Sequence, residues 1–139
     1  MKTIIAALAA AAALGGAALA GDTLYDDLGG EAGLDAILTR LFASVTTDPR
    51  TAPSFEGADI PVVHARLARQ ICDISDGPCT YDGLSMADAH IGLEVTEVQM
   101  NAMIEQLQDA MDAEGVSFRA QNRLLARLAA FHRDIVTAR

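Results

Sequence analysis

The sequence predicts an all-α fold. Apolar residues recur at intervals of three and four along four long segments, which is the spacing that places them on one face of a helix. Valine, isoleucine and threonine never gather in the alternating runs, bounded by turns, that are typical of strands. Residues that favour helix ends flank these segments, with aspartate, serine or threonine before them and glycine after them.

The first twenty residues form a leader that differs from the rest of the chain. Lys2 precedes an apolar run, and Ala18-Leu19-Ala20 has the small-x-small pattern of a cleavage site. The run holds only about 15 strongly apolar residues, short of the roughly 20 that span a bilayer. We expect residues 1–20 to be a secretory signal peptide that is removed, leaving residues 21–139 as one domain, without stable membrane insertion, in the periplasm or outside the cell.

The chain is acidic, with a formal net charge of −9. Lys2 is its single lysine, so every basic side chain after the leader is an arginine. A surface with this charge repels nucleic acid, and we exclude nucleic-acid binding. The acidity is explained by solubility or by docking to a basic partner.

Two helices are expected in the first half of the domain. A short helix over Leu24–Leu28 ends at Gly29-Gly30, because glycine accepts the positive φ of a helix end. A second helix follows over Glu31–Val45 and ends before Thr46-Thr47-Asp48-Pro49. Its apolar face consists of Leu34, Ile37, Leu38, Leu41, Phe42 and Val45.

Three more long helices carry the rest of the domain. Asp59-Ile60-Pro61 opens the third, which we expect to run to Ile74. Thr96 caps a fourth that ends at Gly115, and the last runs without interruption from Ser117 to Val136, with Phe118 on its buried side.

Two cysteines, Cys72 and Cys79, lie seven positions apart. In an exported protein we expect them to form a disulfide that staples the end of the third helix to the loop after it. A zinc site is the weaker alternative, because no histidine lies at ligand spacing.

The connection from Cys72 to Ile91 is long and poorly helical, and such connections in compact domains are often functional. Within a short segment over Ser85–Ile91, one helical turn presents Met86, Ala89 and His90 to the same region. This gives an apolar wall with one nitrogen ligand, which suits a haem. On spacing alone, however, a single histidine is more often a surface or core residue.

Several motifs resemble those of group I truncated haemoglobins. The segment Leu24-Tyr25-Asp26-Asp27-Leu28-Gly29-Gly30-Glu31 resembles the opening motif of that family. Asp48-Pro49-Arg50 followed by Phe55 resembles the exit of its second helix and a haem-packing phenylalanine. Gly77-Pro78, Tyr81-x-Gly83 and Met86-x-x-x-His90 are similar to its haem-cradling loop.

The resemblance continues into Gln121-Asn122-Arg123-Leu124-Leu125 and covers the whole domain. It implies a two-on-two helical sandwich around a non-covalently held haem b, with His90 as proximal ligand of the iron, Phe55 stacked on the porphyrin and Met86 below it. No Cys-x-x-Cys-His motif exists for covalent attachment. The other residues assigned to the pocket are Phe42, Val63, His64, Leu67, Gln70, Ile71, Tyr81 and Val95.

The distal side departs from the family pattern. Phe42 stands where the family usually has a tyrosine, and apolar Val63 and Leu67 occupy positions that are often polar. Gln70 is one residue that would compensate. His64 is another, as a sixth iron ligand, although it lies about 100° around the helix from Val63.

The resemblance implies binding of a diatomic gas, oxygen or nitric oxide. The enzymatic alternative is nitric oxide dioxygenase or peroxidase-like activity, which needs an electron-transfer partner that the sequence does not identify. A cofactor-free helical interaction module remains a third class. Arg66 and Arg69 are expected to face solvent or to pair with haem propionates, and His132 to lie at the surface.

Overall fold

The computed structural model describes residues 21–139, so the predicted signal peptide lies outside it. Seven helices follow one another in this part of the chain, and the all-α prediction is confirmed for it. They are α1 (Leu24–Asp27), α2 (Gly30–Val45), α3 (Ile60–Ile74), α4 (Met86–Ala89), α5 (Glu97–Ala113), α6 (Phe118–Leu128) and α7 (His132–Ile135), with 3-10 turns at Ala52–Phe55 and Ala129–Phe131.

The helix starts are set by side-chain caps that the sequence supplies. Thr23 and Thr96 each form a capping box with the residue three positions later, and the Asp59 carboxylate accepts from the Val62 N–H. Gly29 has a φ of 92°, and a Cβ there would lie 2.9 Å from the Gly33 Cα. Glycine is therefore required at the junction between α1 and α2.

The long helices form two layers. α2 packs against both α3 and α5, α5 packs against α6, and α1 closes the end of the core against α6. Most of the large, fully buried apolar side chains lie in α1, in α2 or at Leu28 between them, and they are joined by Ile71, Met111 and Leu124 from the other long helices. The predicted apolar face of α2 is buried in full.

A polar network fixes the turn after α2. The Asp48 carboxylate accepts from the Arg50 guanidinium at 2.8 Å and from the Gln106 amide at 3.0 Å. Arg50 also donates to Glu105 at 2.8 Å. These bonds tie the turn that carries Phe55 to the middle of α5.

The structure joins Cys72 and Cys79 in a disulfide. The loop that follows is also held to α3 by the Arg69 Nε, which donates to the Thr80 carbonyl at 2.7 Å. The Tyr81 N–H donates to the Asp73 carboxylate at 2.8 Å. The long connection is therefore an ordered loop pinned along α3.

The prediction of one continuous last helix from Ser117 to Val136 was wrong. The chain leaves α6 after Leu128, makes a 3-10 turn at Ala129–Phe131 and continues as α7. No glycine or proline marks this break; α6 packs on α1 and α5, whereas α7 contacts α4, so tertiary packing redirects the chain. Phe118 was also misplaced: it is 71% exposed, because it is the first residue of α6 and projects past the core.

None of the helices in residues 21–139 is both long enough and apolar enough to cross a membrane.

Candidate functional site

A cavity of about 580 Å³ lies between α3, α4, α5 and the α6–α7 segment, and Phe42 of α2 and Phe55 also line it. Its size is that of a typical small-molecule site. The walls follow helical spacing. α3 contributes Val63, Arg66, Leu67, Gln70 and Ile71, α4 and the residue after it contribute Met86, Ala89 and His90, and α5 contributes Met100, Met103, Ile104 and Leu107. The lining is predominantly apolar.

His90 is the residue after α4, and its ring is fixed by the preceding turn. Its Nδ1 lies 2.8 Å from the Met86 carbonyl oxygen. A carbonyl only accepts hydrogen bonds, so Nδ1 carries the proton, and in the neutral ring Nε2 keeps its lone pair. The turn itself is capped by the Ser85 hydroxyl, which accepts from the Asp88 N–H. A histidine held in this way is prepared to bind a metal through Nε2.

Two phenylalanines of the cavity lining, Phe42 and Phe55, contact each other. The ring centroids of Phe42 and Phe55 are 6.0 Å apart and the rings are nearly perpendicular, at 87°. Edge-to-face contact is a favoured aromatic geometry. Phe42 is 4% exposed. Because phenylalanine has no hydroxyl, this position offers no hydrogen-bond donor to the cavity, where the resembling family usually has a tyrosine.

The polar groups of the lining fall into two sets. The Tyr81 hydroxyl donates to the Leu84 carbonyl at 2.7 Å, and the His132 Nε2 lies 3.0 Å from a Glu97 carboxylate oxygen. Gln70 and Arg66 form no side-chain hydrogen bond or ion pair with the other residues of the described domain. Gln70 is 5% exposed, whereas Arg66 is exposed and lies at the edge of the lining.

The structure brings most of the predicted site residues together. Nine of them line the cavity, namely Phe42, Phe55, Val63, Leu67, Gln70, Ile71, Tyr81, Met86 and His90. Their contact with a cofactor remains a prediction.

Two predicted site residues are not brought to the cavity. The His64 ring packs on Phe42, with ring centroids 5.7 Å apart, and its Nε2 lies 3.5 Å from an Asp35 carboxylate oxygen. One residue past Val63, it turns away from the cavity wall. Val95 is buried, but its carbonyl accepts the N–H groups of Thr137 and Ala138, so it anchors the C-terminal end of the chain instead.

The sequence reasoning missed the side of the cavity built by the C-terminal segment. Leu125, Leu128, Phe131 and Ile135 line it, and so does His132, which was expected at the surface and is 40% exposed at its side chain. The available signal was the apolar face of the last helix. That pattern is the same whether the face meets the core or a pocket.

The side chains of the cavity suit a cofactor whose metal already has most of its ligands. The His90 imidazole lines a predominantly apolar cavity with a cation at its edge, and the other lining imidazole, that of His132, is engaged with Glu97. Among residues 21–139, no group of three histidine, cysteine, aspartate or glutamate side chains is placed to hold a bare metal ion. A haem needs only one axial imidazole and apolar walls, and the residues present fit it.

Comparison with known proteins gives a consistent result. The family model of bacterial-like globins matches residues 23–137. A group 1 truncated haemoglobin from a Nostoc species is 31% identical over 106 residues, covering 76% of this chain and 90% of the relative.

Two solved structures show the same fold. A point variant of the truncated haemoglobin of Tetrahymena pyriformis, in the Fe(III) form, has a TM-score of 0.78 at 25% identity and covers 82% of this chain and 97% of its own. A 2/2 haemoglobin from Synechococcus, described with covalently attached haem, has a TM-score of 0.77 at 22% identity and covers 82% and 98%.

The fold and the cavity define this protein as a globin of the two-on-two helical type. The chain belongs to the bacterial-like globin family, and within it to the group 1 truncated haemoglobins. The expected fold and the expected haem b cofactor are confirmed, and the cofactor-free interaction module is not retained.

Proposed function

We propose that this protein binds a diatomic gas, oxygen or nitric oxide, at a haem b whose iron is ligated by His90. The observation that carries the proposal is the hydrogen bond between His90 Nδ1 and the Met86 carbonyl at the wall of the cavity. That bond sets the tautomer that leaves the Nε2 lone pair free to bind iron.

The other lining residues have supporting roles. Phe55 and Met86 line the cavity, and they would present apolar surface to the macrocycle and would keep water from the iron. Arg66 is a cation at the edge of the lining and is suited to a haem propionate. When bound, the haem supplies an iron with a sixth position for a gas ligand.

We propose that the haem is held without a covalent bond. Both cysteines are paired with each other, so neither is free to form a thioether. Covalent attachment is described for the Synechococcus protein. In this chain, His132 would be the side chain to examine for such a bond, because its ring lines the cavity.

We also propose that the protein is exported to the periplasm or beyond the cell. The leader over residues 1–20 supports this, and so does the disulfide between Cys72 and Cys79, since disulfides persist in oxidising compartments. The test is expression of the full chain in a bacterium, followed by fractionation and N-terminal sequencing. A mature N-terminus near Gly21 in the periplasmic fraction supports export, and an intact leader in the cytoplasmic fraction contradicts it.

The test of haem ligation is titration of the apoprotein with haemin, followed by the Soret band. Wild type is expected to bind one haemin per chain. His90→Ala is expected to bind haemin about 10–100-fold more weakly or worse. Losing a residue that only hydrogen-bonds a metal ligand already has an effect of that size, and losing the ligand itself should cost no less. His64→Ala is the matched control and should leave binding and the spectrum unchanged. Equal affinity in wild type and His90→Ala would contradict the proposal.

A further inference from the structure

Gln70 presents an unpartnered amide inside the cavity. The side chain is 5% exposed and forms no hydrogen bond with the other described residues. A primary amide has two N–H donors and one carbonyl acceptor. An amide left unpaired in a protein interior is unfavourable, so a polar cavity occupant that pairs with it is favoured.

The amide is open to the cavity. Ser54 also lines the cavity and has an unpartnered hydroxyl, but its Oγ is sealed by surrounding atoms. The Gln70 amide is not among the sealed polar atoms of the described domain, although the residue as a whole is buried. Its accessible face therefore meets the cavity and whatever occupies it.

The surroundings of the amide are apolar. Val63, Leu67 and Ile71 share its face of α3, and the Phe42 ring adds only carbon. The Tyr81 hydroxyl and the proton on His90 Nδ1 are already engaged with backbone carbonyls. Gln70 is therefore a buried donor that is left free for a polar group entering this part of the cavity, whereas Arg66, which is also unpartnered, is exposed.

We propose that Gln70 is the residue that donates a hydrogen bond to the gas ligand, in place of the hydroxyl that Phe42 lacks. The inference rests on the proposed function, because it requires haem in this cavity. Oxygen held at a haem in this cavity would carry partial negative charge, and an N–H donor in an apolar site would stabilise that charge. Gln70 therefore sets how long oxygen stays bound.

The experiment compares wild type with Gln70→Leu and Gln70→Met, which keep most of the side-chain volume and remove the donors. The C–O stretching frequency of the ferrous carbon monoxide complex reports the local field, and the oxygen dissociation rate reports stabilisation of the ligand. In both variants the frequency is expected to rise and oxygen to dissociate about tenfold faster, the effect of one hydrogen bond. Circular dichroism checks that each variant folds. If Gln70→Leu does not fold, Gln70→Met provides the comparison.

His64→Leu is the matched control, because it lies on the same helix but outside the cavity lining, and it should change neither quantity. An unchanged frequency and rate in both Gln70 variants, with haem bound normally, would overturn the inference and leave the proposed function intact. A larger effect in Arg66→Met than in the Gln70 variants would also overturn it, by making Arg66 the donor. Failure of wild type to bind haem would instead refute the proposed function.

Discussion

The Nδ1 atom of His90 lies 2.8 Å from the carbonyl oxygen of Met86, one turn earlier in the chain. α4 is only four residues long, and it is held between the Ser85 cap and its contact with α7. The orientation of the imidazole is therefore set by local backbone and by the C-terminal segment together. This arrangement places the His90 nitrogen in a predominantly apolar wall.

The disulfide should stabilise the fold through the loop it closes. Replacing both cysteines, in Cys72→Ala/Cys79→Ala, is expected to lower the free energy of unfolding by about 2–3 kcal/mol, because the unfolded chain regains the freedom of that loop. Urea denaturation of the oxidised wild type and the double variant measures the difference. Reductant should destabilise wild type and leave the double variant unaffected. Equal stability of the oxidised proteins would show that the bridge contributes nothing.

The Asp48–Arg50 pair should make stability depend on pH in acid. Hydrogen bonds from the Arg50 side chain and backbone lower the pKa of Asp48 below its usual 3.8. A carboxyl whose pKa is lower in the folded state stabilises the fold above its unfolded pKa, and this contribution is lost as the pH falls through the folded value.

Asp48→Asn removes that contribution. The stability difference between wild type and the variant is expected to be constant above about pH 5 and to shrink below about pH 4. Urea midpoints measured across this range test the expectation. A difference that stays constant down to pH 2 would mean that Asp48 does not titrate differently in the two states.

Two positions on α6 should differ sharply in their effect on stability. Leu124 is 1% exposed in the core, whereas Phe118 is 71% exposed. Leu124→Ala is expected to cost about 2–5 kcal/mol through lost burial and a cavity. Phe118→Ala should stay within about 0.5 kcal/mol of wild type, as a surface substitution. Denaturant unfolding of both variants measures these differences. A large loss of unfolding free energy in Phe118→Ala would contradict the exposed position of Phe118.

The mode of haem attachment is open to direct chemical test. Acidified butanone is expected to extract all the pigment from the reconstituted, reduced and reoxidised protein, because no cysteine is free to form a thioether. Mass spectrometry of the polypeptide should then give the mass of the chain alone. Pigment that stays with the polypeptide in wild type and is released from His132→Ala would show a covalent bond from His132.

The sequence predicted the helices where local chemistry sets their ends. Thr96 and Asp59 cap α5 and α3 where expected, and Gly29 marks the junction of α1 and α2. The break after Leu128 carries no such mark. It depends on the packing of α7 against α4, a contact between distant parts of the chain that periodicity does not encode.

The site was predicted in part for the same reason. The register of α3 followed from helical spacing, so Val63, Leu67, Gln70 and Ile71 were placed at the cavity. To place His64 correctly, the register of α3 had to be predicted to within one residue. In the structure its ring lies near Asp35 instead of in the cavity. The C-terminal wall was missed because apolar residues that face a pocket have the same spacing as residues that face a core.

Ligation of the haem iron by His90 is tested most directly by resonance Raman spectroscopy of the ferrous protein immediately after photolysis of its carbon monoxide complex, when only the proximal ligand remains. We predict an iron–imidazole stretching band in wild type and in His64→Ala and His132→Ala. The band should be absent in His90→Gly and should return, shifted, when free imidazole is added to that variant. An unchanged band in His90→Gly without imidazole would contradict the account.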